Sequence, residues 1–224
     1  MTNPSQITKY IEYLNEELKK IGSIDNVLYK KLLLVTLLDS IARSKYPKGG
    51  NKERFVNFVF DCGEWENSQR VSIFQLYYYL EKQQSSSYND LKDSITKRTE
   101  SFETGRIYNL DVDPLYEDLI RLNTSQDEKE LISNFRHSIL LYKYRNCLVH
   151  EFREPGYGME FINDRTTPYY HGMSSLENID TWELVYPIGF FVDLAQKSLR
   201  NLAIFFEKND LDPFVNYEFG TLWR

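Results

Sequence analysis

Only two cysteines, Cys62 and Cys147, occur in a chain of 224 residues. A disulfide framework is thereby excluded, and a four-cysteine zinc site with it. Histidine is almost as scarce, at three residues: His137, His150 and His171. Their spacing to one another and to nearby acids matches no known metal-ligand pattern, so neither a metal nor another cofactor is expected. Glycine numbers only ten, and neither Gly49-Gly50 nor Gly156-x-Gly158 stands in the pattern of a phosphate-binding loop. The longest apolar run, Leu32 to Leu38, is far too short to span a bilayer. The amino terminus shows no basic segment leading into an apolar stretch, so a cytoplasmic protein without membrane contact is expected. A net charge of −6 gives no broad attraction for nucleic acid; any such contact needs a local basic patch. Internal repeats and proline- or serine-rich linkers are also lacking.

What is present is ordinary globular material. Hydrophobic residues make up 42% and charged residues 27%. A chain of this length buries about 70% of its unfolded surface, enough for a core without covalent staples. Seventeen tyrosines and fourteen phenylalanines make that core aromatic. Asn3 as cap, Pro4 at the first helical position and Gln6 open a helix, along which Ile7, Tyr10, Ile11, Leu14, Leu18 and Ile21 recur until Gly22. A second helix runs from about Asp25 to Tyr46, and its middle is apolar almost all round, the mark of a central, buried element. Asp39 is out of character there, within about 20° of Leu28 and Val35 on the helical wheel. Arg43, one turn on, can pair with it.

Further helices are expected from Asn51 to Cys62 and from Val71 to Lys82. The stretch from Gln83 to Asp113 is polar and weakly periodic, a loop with some helix, and Pro114 to Leu122 forms a short helix. Ser125-Gln126-Asp127-Glu128 is a capping box that opens a long helix through about Val149. After the Pro155-Gly156-Tyr157-Gly158 break, Met159 to Ile162 and Trp182 to Tyr186 alternate like strands. Pro187 opens a last apolar helix, Ile188 to about Lys208. Phe214, Tyr217, Phe219 and Trp223 equip the tail to pack. The expected architecture is mainly α: one helical domain over residues 1–224, with a small β-hairpin insert at about 156–187 before the last helix.

One segment rises above scaffold: Tyr142-Lys143-Tyr144-Arg145-Asn146-Cys147-Leu148-Val149-His150, followed by Glu151-Phe152-Arg153-Glu154-Pro155-Gly156. Arg145-Asn146-x3-His150, late in a helical chain and at the end of a long helix, resembles the HEPN superfamily of all-helical domains. Asp39 to Arg43, Asn51 to Val56 and Arg153 to Gly158 extend that likeness. The likeness covers about Asp25 to Lys208, and the regions 83–113 and 159–186 are extra to the smallest HEPN domains. The resemblance implies a HEPN-like bundle and metal-independent cleavage of RNA, in which the 2′-OH attacks the adjacent phosphorus and leaves a 2′,3′-cyclic phosphate. Such chemistry needs a proton carrier near neutrality, for which His150 is suited, and a fixed cation on the developing phosphorane charge, for which Arg145 is suited. Asn146 can orient a phosphate oxygen or the histidine. On a straight helix, however, Arg145 and His150 lie about 140° and ~7.5 Å apart. Either the helix unwinds near His150 or a second copy completes the site. The resemblance implies the latter, two motifs meeting across a homodimer cleft.

Each of these residues also has a plainer role. Arg145 can satisfy helix-end carbonyls or pair with Asp39, and His150 can sit near the negative end of the helix dipole. Asp39 is expected as a buried structural partner of an arginine, either Arg43 or Arg145. Lys143, Arg153 and Arg54 can supply a basic patch for RNA or serve as solvated surface. His137 is a surface or core residue, and Cys147 a small buried one rather than a nucleophile. The expected function is a HEPN-type endoribonuclease acting as a toxin or defence effector, with RNA, a second copy of itself and a neutralising antitoxin protein as partners. The alternative is a non-catalytic HEPN-like module for dimerisation, RNA binding or partner-protein binding.

Overall fold

The structure, a computed structural model, describes residues 4–83, 88–103, 105–121, 125–160, 165–174 and 180–216. The chain is mainly helical, with one small sheet. In chain order it runs α1 (Pro4–Gly22), α2 (Val27–Lys45), α3 (Asn51–Cys62), α4 (Ile73–Lys82), α5 (Asn89–Thr99), β1 (Ile107–Asn109), α6 (Tyr116–Ile120), α7 (Gln126–Ser133), α8 (His137–Asn146), β2 (Tyr169–Ser174), β3 (Asp180–Val185) and α9 (Ile188–Asn209). None of the described helices is long and apolar enough to cross a membrane. The chain divides into two compact units: residues 1–65, 144–154 and 188–224 form the first, and residues 66–143 and 155–187 the second. The stretch expected as an insert therefore belongs with residues 66–143.

In the first unit α2 packs against α1, α3 and α9. Helix α1 buries Ile7, Tyr10, Leu14, Leu18 and Ile21, a stripe at helical spacing. The expected Asn3 cap lies outside the described residues. Helix α2 is capped by the Asn26 side chain, which accepts from the Tyr29 amide at 3.0 Å. Its apolar middle is not buried all round, since Leu33 faces solvent, as do Val27 and Tyr29 in the first turn. Helix α3 stops at Gly63, where a Cβ would stand 2.4 Å from the Val59 carbonyl oxygen and 2.6 Å from Leu194 Cδ1 of α9. The clash with its own helix's backbone, which cannot give way as the Leu194 side chain can, requires glycine. The tail returns Phe214 to Tyr10, edge to face at 5.5 Å; Tyr217, Phe219 and Trp223 lie outside the described residues.

The second unit departs from the expected helices at a specific place. The capping box at Ser125 and Glu128 forms as expected, but the helix it opens ends at Ser133 and a new one starts at His137. Between them the backbone turns outward to bridge residues 70–72. The Ser72 amide donates to the Phe135 carbonyl and the His137 amide to that of Arg70, each at 2.9 Å. Across the same segment, the Val71 amide donates to Pro114 O at 2.9 Å. Periodicity continues through this break, so a long helix is what the pattern alone predicts.

The sheet has the antiparallel order β1-β2-β3. Tyr108 pairs with Tyr170, and Tyr170 with Leu184. The hairpin was expected one segment earlier. Of the expected strand Met159 to Ile162, Met159 and Glu160 have no regular structure and Phe161 and Ile162 lie outside the described residues, while Tyr169–Ser174, expected as the connection, is the central strand. Strand β1 comes from the stretch expected as loop; three residues carry no readable period. Gly156, at φ 73, turns the chain so that the Tyr157 amide reaches Glu183 at 3.2 Å.

A buried polar network fixes this unit. His137 Nε2 lies 2.6 Å from Asp113 Oδ2, with both side chains wholly buried. The Tyr170 hydroxyl donates to the same oxygen at 2.6 Å and lies 2.7 Å from Ser72 Oγ. Asp113 Oδ1 accepts the Ile73 amide at 3.1 Å at the start of α4. Of the two roles open to His137, the core one is realised. Burial, then the Asp113 charge, pushes the Tyr170 phenol well above its ordinary range, and the same causes act on Tyr186. Folding therefore favours the protonated phenols. Their contribution to stability is complete below about pH 10, the unfolded value, and is lost as pH rises toward the higher folded value. In an alkaline titration, tyrosinate absorbance from exposed tyrosines is expected first. The buried pair should ionise only together with loss of helical dichroism, and smooth ionisation of every tyrosine in the folded protein would contradict the network.

Candidate functional site

The Arg145-to-His150 segment lies wholly in the first unit. Helix α8 delivers Tyr144, Arg145 and Asn146, then continues as a turn of π-helix over Cys147–Glu151. Phe152 closes the turn in the left-handed conformation, φ 57 and ψ 35, its amide bonded to the Cys147 carbonyl. A helix cannot run on here, because Pro155 keeps the residue before it extended. Leu148, buried at 1% exposure, fixes the turn to the core. Bonding from i to i+5 adds a residue to the turn, so residues five positions apart come closer to line than on an α-helix. The π turn thus narrows the 140° that a straight helix would place between Arg145 and His150.

Arg145 is held from two sides. One terminal nitrogen donates to Asp39 Oδ2 of α2 at 2.6 Å, the other to Asn146 Oδ1 at 3.0 Å. The open choice of partner for Asp39 is thereby settled in favour of Arg145. Arg43, expected among the buried supporting residues, is exposed and has no ion pair among the described residues. It sits in the last turn of α2, where a cation is favourable in solvent without an acid beside it. Asp39 is half-buried, at 24% side-chain exposure, rather than buried. Asn146 spends its amide oxygen on the guanidinium. The His150 side chain is exposed and makes no hydrogen bond among the described residues.

A second tie was not anticipated. Lys31, on the same helix as Asp39 and 1% exposed, reaches Glu154 Oε2 at 3.0 Å and Oε1 at 3.2 Å. The Tyr144 hydroxyl donates to Glu154 Oε2 at 2.5 Å, and the Tyr144 ring stacks on Phe191 of α9. The segment that follows the π turn is thus fastened to the helix that precedes it. The signal for this lay in α2: Lys31 stands three, four and seven residues before Leu34, Val35 and Leu38, squarely on the buried stripe.

The expected basic patch is less coherent. Arg54 bonds back to Gly49 O at 3.2 Å and to the Asn51 side chain at the start of its own helix. Arg153 pairs with Glu151 at 2.5 Å on the surface. Lys143 belongs to the second unit, where its ammonium donates to Asn134 O at 3.1 Å and stands 5.0 Å from the Phe135 ring centre. Burial, then the Glu151 charge, pushes the Cys147 thiol up, which disfavours a thiolate nucleophile. Among the described residues no group of three or more His, Cys, Asp or Glu is placed to hold a metal ion. His171 accepts the Met159 amide at 3.3 Å within the second unit.

Comparison of the chain with protein families, with curated proteins and with solved structures returned no match. The functional argument therefore rests on the site itself.

Breaking a buried ion pair from one side costs about 3–5 kcal/mol. Because Asp39 retains 24% of its surface in water, Arg145→Ala is expected to cost less, about 1–3 kcal/mol. In a double-mutant cycle with Asp39→Ala, chemical denaturation should give a coupling of about 1 kcal/mol or more. A coupling near zero would mean that the pair contributes nothing to the fold.

Proposed function

We propose that the chain is a metal-independent endoribonuclease of HEPN type. The observation that carries this reading is the contrast within Arg145-Asn146-x3-His150: a guanidinium fixed in place and an imidazole left open to solvent on the same helical end. The Asp39 and Asn146 bonds set the plane of the Arg145 fork, which suits it to charge that develops on a phosphorus centre. His150 carries a proton between the 2′-OH nucleophile and the 5′-oxygen leaving group. Attack by the 2′-OH forms the cyclic phosphate and releases a 5′-OH. Roles as toxin or defence effector, and a neutralising antitoxin protein, follow from the family resemblance alone.

A second reading has its own support. Arg145 is largely buried, at 11% side-chain exposure, and already pairs with an acid. That is how an arginine holds a fold in a non-catalytic helical module for dimerisation, RNA binding or partner binding. His150 separates the two. Purified protein is expected to cut single-stranded RNA in excess EDTA, to leave DNA intact for want of a 2′-OH, and to yield 2′,3′-cyclic phosphate ends. His150→Ala should remove most of that activity with unchanged melting, since an exposed side chain contributes little packing. RNA cleavage that survives His150→Ala, or that EDTA abolishes, replaces this reading with the second.

A homodimer belongs to the same proposal. The π turn lessens the separation of Arg145 and His150 without abolishing it, and a second copy would supply the remaining groups. Sedimentation at micromolar concentration should show a dimer; a strict monomer with full activity would remove the second copy from the mechanism.

A further inference from the structure

We propose that Tyr29 and Phe152 form a stacking platform for an unpaired base of the RNA, beside the Arg145–His150 site. The proposal rests on the ribonuclease reading and states how its substrate is held.

Three observations converge on this pair. The first is a bulky ring left in solvent at a left-handed position. Only Glu64, Phe152 and Asp210 among the described non-glycine residues have positive φ. For a bulky aromatic residue the left-handed region is a genuine outlier. Burial of the ring does not offset it, because Phe152 is 54% exposed. The chain reversal that returns Glu154 to α2 accounts for the left-handed backbone, but not for an exposed aromatic side chain at a position where glycine would turn without strain.

The second is rigidity. Tyr29 lies on the solvent face of α2, opposite the buried Lys31, and Phe152 stands two residues before Glu154, whose pair with Lys31 ties the turn to that helix. The ring centres are 5.6 Å apart with planes tilted by 54°. Tyr29 is 46% exposed. Two aromatic faces are therefore held in a fixed arrangement yet left uncovered, and this preorganisation lowers the entropy lost when a ligand binds.

The third is place. Phe152 follows His150 by two residues at the close of the π turn. Tyr29 lies about 15 Å along α2 from Asp39, the residue that holds Arg145. A single strand with its phosphate at Arg145 and His150 covers that distance within a few nucleotides. Every base has a π face, so such a platform accepts unpaired bases with little sequence preference and rejects a closed duplex, whose bases are already stacked.

The test uses full-length protein carrying His150→Ala, so that bound RNA is not consumed. Its probe is a fluorescein-labelled single-stranded RNA of about 12 nucleotides, within the span of known single-strand sites, at constant salt. Phe152→Gly removes the ring while relieving the backbone, since glycine takes positive φ without strain. It is expected to keep helical content and melting and to weaken binding at least tenfold. Phe152→Trp should retain binding, and the fluorescence it adds should be quenched by the RNA, a signal that a purely structural ring would not produce. Annealing the complementary strand should weaken binding to the His150→Ala protein. Equal binding by the His150→Ala protein with and without Phe152→Gly overturns the platform and leaves the ribonuclease reading standing. So does a change in sedimentation with Phe152→Gly, which would assign the rings to contact between copies. If wild type cuts no RNA and the His150→Ala protein binds none, both proposals fall together.

Discussion

Lys31 is an ammonium at 1% exposure on a helix whose buried neighbours are Leu34, Val35 and Leu38. Such a cation is tolerable only with a carboxylate in contact, and Glu154 provides both oxygens. Much of the first unit follows from that requirement. Glu154 must return to α2, so the chain after α8 has to reverse within a few residues. The π turn and the left-handed Phe152 are how the reversal is made. Asp39 and Arg145 repeat the tie about 12 Å further along α2. Two charge pairs thus hold the Arg145–His150 segment against one helix, and the exposed imidazole projects from a turn fastened before and after it.

Charge also organises the second unit, by a different route. Asp113 gathers His137, Tyr170 and the Ile73 amide around one buried carboxylate. Those partners come from the start of α8, from β2 and from the start of α4, so the acid sets where three elements begin or pair. The same segment bridges residues 70–72 and splits what would be a continuous helix. An aromatic cluster fills the space around it, with Phe74 stacked on Trp182 at 5.1 Å and edge-on to Tyr170 at 5.0 Å. Buried polar groups of this kind are satisfied as a set, and removal of one member strands the others.

The helices were legible wherever local physics decides. The Ser125–Glu128 box caps as its side chains dictate, and α2 and α4, expected from about Asp25 and Val71, start within two residues of those positions, capped by Asn26 and Ser72. The stripes of α1 and α9 point inward as their spacing requires. Strands were harder. Tyr169–Ser174 reads as a connection until β1 and β3 lie on both sides of it, because pairing is a property of the partner as much as of the strand. The break at residues 134–136 has no breaker residue; its cause is the backbone of residues 70–72, more than sixty positions away.

The amino-acid sequence by itself determined the helical class and the placement of most helix ends. Arg145, Asn146 and His150 stood out there through their resemblance to the HEPN motif, late in a helical chain. The sequence also marked Asp39 as an acid on an apolar face. Only the tertiary structure decided that Asp39 takes Arg145, 106 positions away, and leaves Arg43 in solvent. The π turn and the Lys31–Glu154 clamp, 123 positions apart, were decided there too. Caps and periods depend on neighbours within a few residues, and the sequence lists those neighbours. Which buried charge meets which depends on how helices pack, and on the cost of leaving any of them unpaired.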